Sequence, residues 1–222
     1  MNTSILVIAP HTDDEVLGAG GTIARYAAEG AAVTVAVLTS GLPPHFPPED
    51  EESMRQEALA AHAILGVKET VYLDFPAAGL DTVAHRDMND ALGKLYRRIE
   101  PTYVLIPFLG DVHLDHQAAF RSAMVMCRPN GGHVPRSVLA YETVSETNWN
   151  APHITPAFQP NTYVDISAHL ESKLAAFRAY ASQVKAFPHE RSIEALKALA
   201  IMRGTTVHLP AAEAFVALRT IL

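Results

Sequence analysis

The feature that most constrains this chain is a six-residue run, Ser4-Ile5-Leu6-Val7-Ile8-Ala9, which carries no charge and stops at Pro10. A short, continuous apolar segment bounded by proline reads as a strand buried on both faces, the situation found where helices cover both sides of a parallel sheet. The next segments keep that rhythm. Apolar residues recur at helical spacing over 16–29 and stop at Gly30, a residue suited to the left-handed turn after a helix. A second β-rich run covers 31–39. The stretch 40–48 holds four prolines, which block both helix and central strand, so it reads as a loop.

Farther along, the patterns predict helices over 53–65, 88–99, 116–127, 168–187 and 193–202, and strands over 70–73, 103–107, 138–143 and 162–166. This alternation predicts an α/β fold: a Rossmann-like three-layer sandwich with a mostly parallel central sheet flanked by helices. No repeat, low-complexity linker or charge run interrupts it, so 1–222 reads as a single domain.

Composition narrows the functional classes. The chain is 49% hydrophobic and 18% charged, which supports a packed core and argues against disorder or a coiled coil. Its 17 Lys and Arg against 24 Asp and Glu give a net charge of −7, without a basic block that would meet phosphates. Nucleic acid and anionic membrane are therefore excluded as expected partners, and a small-molecule substrate is favoured. The lone Cys127 permits neither an internal disulfide nor a thiolate zinc site, which fits a reducing cytoplasm. No apolar run reaches the ~20 residues of a membrane span, and 1–10 lacks the features of a leader. Eleven His are many for this length and hint at metal or acid–base chemistry. Assembly into a homo-oligomer stays open, because one sequence does not separate an interface patch from core.

In open parallel sheets, ligands bind beyond the carboxyl ends of the strands. Two loops there stand out. The first, His11-Thr12-Asp13-Asp14-Glu15, comes directly off the first strand. A helix cap would need one carboxylate, whereas three adjacent ones beside a buried strand end call for a neutralising cation. The second, Asp111-Val112-His113-Leu114-Asp115-His116, comes after the strand 103–107. His113 and His116 are spaced to share a side, with Asp115 placed to hold an imidazole tautomer. Parallel topology brings both loops to one sheet edge, where two His and one Asp make a three-ligand site. Zinc accepts these donors, and catalytic zinc keeps a fourth position for water. Zincin, nucleophile-elbow, Walker and dinucleotide signatures are absent, and Gly18, Gly20 and Gly21 read as close-packing positions within a helix.

A strand, then Pro-His-x-Asp-Asp-Glu, then a Gly-rich helix, with a later His-x-Asp-His, resembles the PIG-L/LmbE family of zinc-dependent N-deacetylases. Thr39-Ser40-Gly41, Arg55-Gln56-Glu57-Ala58 and Leu65-Gly66-Val67 add to the likeness, while Thr12 stands where the family usually has Pro. The resemblance implies that His11, Asp14 and His116 bind Zn2+ and that Asp13 acts as general base. It further implies that His113, oriented by Asp115, stabilises the oxyanion formed on an acetamide carbonyl, and that Asp13 or His113 protonates the leaving amine. The implied activity is removal of the N-acetyl group from an N-acetylglucosamine-like sugar or conjugate. An amidase or esterase with the same metal core, and a non-catalytic module whose metal has four protein ligands, are the alternatives. Other divalent metals accept the same donors.

Other residues carry weaker expectations. Glu15 would cap the first helix or bond a ligand histidine. Arg55 would hold a sugar hydroxyl or phosphate, or else pair with Glu51 or Glu52. His45 lies in the proline-rich loop and could close over substrate, and His62 reads as packing. His133 and the Tyr141-Glu142 pair could border a pocket, although surface or core placement is the default. Trp149 could stack on a sugar face or anchor its loop.

Overall fold

A computed structural model describes residues 3–43 and 46–222. The first strand, β1 (Ser4–Ala9), lies in the interior of a seven-stranded sheet. The chain continues through α1 (Asp14–Ala28), β2 (Ala32–Ser40), α2 (Pro48–Leu65), β3 (Glu69–Pro76), α3 (His85–Ile99) and β4 (Tyr103–Pro107). It then forms α4 (Leu114–Met126), β5 (Ser137–Tyr141), β6 (Thr162–Asp165), α5 (Leu170–Ala179), α6 (Ile193–Thr205) and β7 (Ala212–Thr220). Strand order is β3-β2-β1-β4-β5-β7-β6. The first five strands run parallel, while β7 is antiparallel to both neighbours.

Alternate residues of β1 feed two cores, as strand geometry requires. Ile5, Val7 and Ala9 pack with buried residues of α1, α2, α5 and α6, such as Val16, Ala61, Phe177 and Leu196. Leu6 and Ile8 pack on the other face with Met88, Leu92 and Leu95 of α3 and Ala119 and Ala123 of α4. The result is the expected three-layer sandwich. Close approach of α1 to the sheet depends on glycine: a Cβ at Gly18 would overlap the Tyr141 ring, and one at Gly21 would overlap Ile166.

Several sequence expectations shift. The proline-rich segment ends earlier than expected, since α2 already begins at Pro48, where proline suits a first helical position. The helix expected over 168–187 stops at Ala179; Tyr180 is drawn inward, its hydroxyl 2.6 Å from Glu15 Oε1, and 180–192 becomes an irregular connection. The strand β7 has no counterpart among the sequence expectations. Its Ala-Glu-Ala-Phe-Val-Ala-Leu-Arg-Thr sequence is rich in helix formers, and pairing on both edges overrides that propensity. His45 lies outside the described residues.

Candidate metal centre

Because β1, β2, β3, β4 and β5 are parallel, the loops at their carboxyl ends share one edge, and both expected acidic loops arrive there. Asp13 is the N-cap residue of α1 and has φ 106°, a left-handed conformation unusual outside glycine. That turn sends Asp13 and Asp14 in different directions. Asp14 Oδ2 is the meeting point: it accepts from the His11 amide at 2.8 Å and lies 3.3 Å from His11 Nδ1 and 3.2 Å from His116 Nε2. One donor atom from each of His11, Asp14 and His116 lies within 4.8 Å of the others, the compass of a single metal ion.

The far nitrogen of each imidazole is held by a carboxylate. His116 Nδ1 is 2.8 Å from Asp111 Oδ2, and Asp111 is itself steadied by the Thr147 hydroxyl at 2.6 Å. His11 Nε2 is 2.9 Å from Asp115 Oδ2, and that carboxylate also accepts from the amides of Ala78 and Leu80. Carboxylate support of this kind fixes the tautomer, so that the opposite nitrogen presents a lone pair. The sequence spacing pairs Asp115 with His113, but the carboxylate is committed to His11. Only the backbone amide of Asp115 meets His113, donating to Nδ1 at 3.1 Å at the start of α4. His11, His113 and Asp115 also lie within common reach of an ion, yet Asp115 there is already engaged with His11 and two backbone amides.

The residues fit a divalent cation. His116 Nε2 is buried and makes no hydrogen bond, which is costly for a polar atom unless something else meets it. Two imidazoles and one carboxylate are the donor set of catalytic zinc. The surrounding carboxylates draw positive charge to this point, as a proton on a ring or as a cation in its place. Burial opposes charging of both rings, but the hydrogen bonds of Asp115 and Asp14 raise His11 to about 9. Asp14 and Asp111 likewise raise His116 to about 10. Asp14 in turn is held well below the usual carboxylate range by His116 and His11, despite burial.

Around this centre opens a cavity of about 540 Å³, lined among others by His11, Asp13, His113, Glu146 and Arg191. Burial pushes the Asp13 carboxyl well above its ordinary value, against the pull of Arg191, whose Nη1 lies 3.0 Å from Asp13 Oδ2. Burial lowers His113, and the neighbouring His11 ring, 4.6 Å away between centroids, adds to this.

Glu15 is fully buried behind the site. It accepts from the Asp13 amide at 3.2 Å and contacts His62 at 3.1 Å, so its histidine partner is a packing residue and not a ligand. Arg55 does not line the cavity. Its guanidinium is taken up by Glu51, Ser40 and Asp74 and stacks over Tyr72, the ion-pairing alternative expected for it. Tyr141 is buried, Glu142 pairs with Arg203, and His133 bonds the Pro101 carbonyl, all outside the cavity lining. Trp149 is 65% exposed and its indole donates to Glu190. Sequence patterns assign no role to Asp111, Glu146 or Arg191. For Asp111 a signal is present, a carboxylate five residues before His116 in the same loop.

The chain has clear relatives among known proteins. A profile of the PIG-L family, described as GlcNAc-PI de-N-acetylase, matches residues 6–127. The uncharacterized deacetylase YaiS of Escherichia coli is 30% identical over 80% of this chain and 90% of its own length. A 1D-myo-inositol 2-acetamido-2-deoxy-alpha-D-glucopyranoside deacetylase of Saccharomonospora viridis is 27% identical over 97% and 95%. A 4-oxalmesaconate hydratase of Pseudomonas putida is 28% identical over 82% and 76%. Among solved structures, the conserved protein TT1542 of Thermus thermophilus superposes with a TM-score of 0.78 at 31% identity, covering 98% of this chain and 96% of that one. Among the described residues, no helix is long and apolar enough to cross a membrane.

Proposed function

Because the chain belongs to the PIG-L family, we propose that it hydrolyses the N-acetyl group of an N-acetylglucosamine-like sugar or conjugate, releasing acetate and a free amine. The observation that carries this reading is the buried, unpartnered Nε2 of His116 beside Asp14 and His11, the last of which lines the cavity. His11, Asp14 and His116 would hold the cation, with Zn2+ the first choice for imidazole and carboxylate donors. When bound, a divalent ion there supplies Lewis-acid polarisation of the acyl carbonyl and makes water easier to deprotonate.

The remaining steps belong to side chains. Asp13 takes the proton of the attacking water; a buried carboxylate with a raised proton affinity suits that task. Arg191 and the Glu15 contact to its amide keep Asp13 aimed. His113, fixed by the Asp115 amide and lining the cavity, donates to the oxyanion that forms as the carbonyl becomes tetrahedral. The leaving amine takes its proton from Asp13, which holds the one abstracted from water, or from His113, which recovers that proton from Asp13. We place the protein in the cytoplasm, supported by a single cysteine that is buried and free. The whole chain acts as one domain in this reading.

Chelation followed by zinc restoration, read as acetate release from a panel of N-acetyl sugars, tests the proposal. Activity lost with the metal and regained on its return is the expected result. Turnover indifferent to chelator overturns it. The hydratase relative supplies a second reading, addition of water to an activated carbon–carbon double bond, and an unsaturated tricarboxylate in the same panel separates the two.

A further inference from the structure

The cavity above the candidate metal centre is acidic on both flanks. On the β2 side, Asp50 and Glu51 from the first turn of α2 form part of its wall. The first turn of a helix is otherwise where a phosphate settles, because its free amides and dipole attract anions. Here that turn carries its own carboxylates. The adjacent Gly41 amide, a further donor an anion could have used, is taken by Glu51 Oε2 at 2.6 Å. Glu51 also accepts from Arg55 Nε at 2.7 Å, so the guanidinium nearest this wall is paired with an acid. On the β5 side stands Glu146, whose Oε2 makes no hydrogen bond. In the lining, Nε of Arg191 is occupied by Ser145 and Nη1 by Asp13 and Gln183, and no lysine is among the described lining residues.

Resting on the deacetylase reading, we infer that the cavity selects N-acetylated sugars whose remaining groups are neutral or carry an ammonium, and rejects those bearing a phosphate, nucleotide or carboxylate. Sugar hydroxyls and an ammonium offer the donors that Glu146 and Asp50 can accept. A phosphate dianion would have to desolvate against carboxylates, with the Gly41 amide already taken by Glu51. At about 540 Å³ the space falls within the range of small-ligand sites and leaves room beyond a single ring. An amino-sugar disaccharide with one acetyl group left to remove matches both its size and its charge.

The test uses the metal-loaded full chain and three probes: methyl N-acetylglucosaminide, a glucosaminyl-N-acetylglucosamine disaccharide, and N-acetylglucosamine 1-phosphate. kcat/KM is read from amine release and Kd from titration calorimetry. The neutral and cationic probes should show at least about tenfold higher kcat/KM and at least about tenfold lower Kd than the phosphate, with the gap closing as salt rises. Asp50→Lys should shrink the ratio of disaccharide to phosphate by about threefold or more. Binding of the phosphate as tight as that of the methyl glycoside at low salt overturns the inference and leaves the deacetylase reading standing. Should no probe be turned over, the deacetylase reading falls, while the calorimetric order still decides the charge preference.

Discussion

Nε2 of His11 lies 2.9 Å from a carboxylate oxygen of Asp115, although 104 positions separate the two residues. The contact ties the first acidic loop to the second and turns Nδ1 of His11 toward Asp14. Loss of such a support typically weakens metal binding by about 10–100-fold. Asp115→Asn should therefore loosen zinc, measured by competition with a chromophoric chelator, because the amide no longer draws the proton to Nε2. His113→Ala should keep zinc affinity and lose about 100-fold in kcat instead. Equal zinc affinity in both variants would show that the Asp115 contact does not tune the ligand.

Asp13 permits a cleaner test of the base. Its φ of 106° is a conformation that asparagine also tolerates, so Asp13→Asn should fold and load metal as the parent does. Removing the proton acceptor should cost about 10²–10⁴ in kcat. Thermal midpoint and metal content serve as controls. Full activity in a correctly folded, metal-loaded variant would remove Asp13 from the mechanism.

The site is partly legible in the sequence because strand direction is. An apolar run halted at Pro10 and a second ending at Pro107 announce parallel strands, and parallel strands bring His11, Asp14 and His116 together whatever the intervening sequence. Which carboxylate supports which imidazole is not legible. Asp111 precedes α4 and Asp115 lies in its first turn, so their side chains leave in directions that spacing alone does not report. Arg191 leaves no local mark either, since its partner Asp13 is 178 positions away. It reaches the cavity only because α5 ends at Ala179, where an apolar pattern running on through Phe187 suggests more helix. In the structure Phe187 is 68% exposed, so that pattern has no core to face.

Cys127 gives a prediction about pH. The thiol is 1% exposed, and burial pushes it up to about 12. At pH 8 only about one thiol in 10⁴ would be ionised, against about one in ten for a free cysteine of pKa near 9. Native protein should resist iodoacetamide at pH 8 and label fully once denatured. Because the folded state holds its proton to higher pH than the unfolded chain, this group's contribution to stability is intact below about 9 and is lost as pH rises above it. Labelling of native and denatured protein at equal rates would contradict the burial.

Lys173 and Glu213, 3% and 4% exposed, form an ion pair set against the middle of α1. Lys173 Nζ donates to the Leu17 carbonyl at 2.8 Å, and the Glu213 carboxylate accepts from the amides of Gly21 and Thr22 at 2.9 and 2.7 Å. Every charge is met, and the pair links α5, β7 and the helix that carries Asp14. Removing one member leaves the other buried and uncompensated, a cost of about 3–5 kcal/mol. Lys173→Met should accordingly lower the melting temperature by about 10 °C at fixed metal concentration, since a chain of this size shifts about 2–4 °C per kcal/mol. The double variant Lys173→Met with Glu213→Gln should lose less than the two single losses combined, because the second change removes a charge already stranded by the first. Strictly additive losses in urea or thermal unfolding would show that the two residues act independently, and that α1 is held by its apolar face alone.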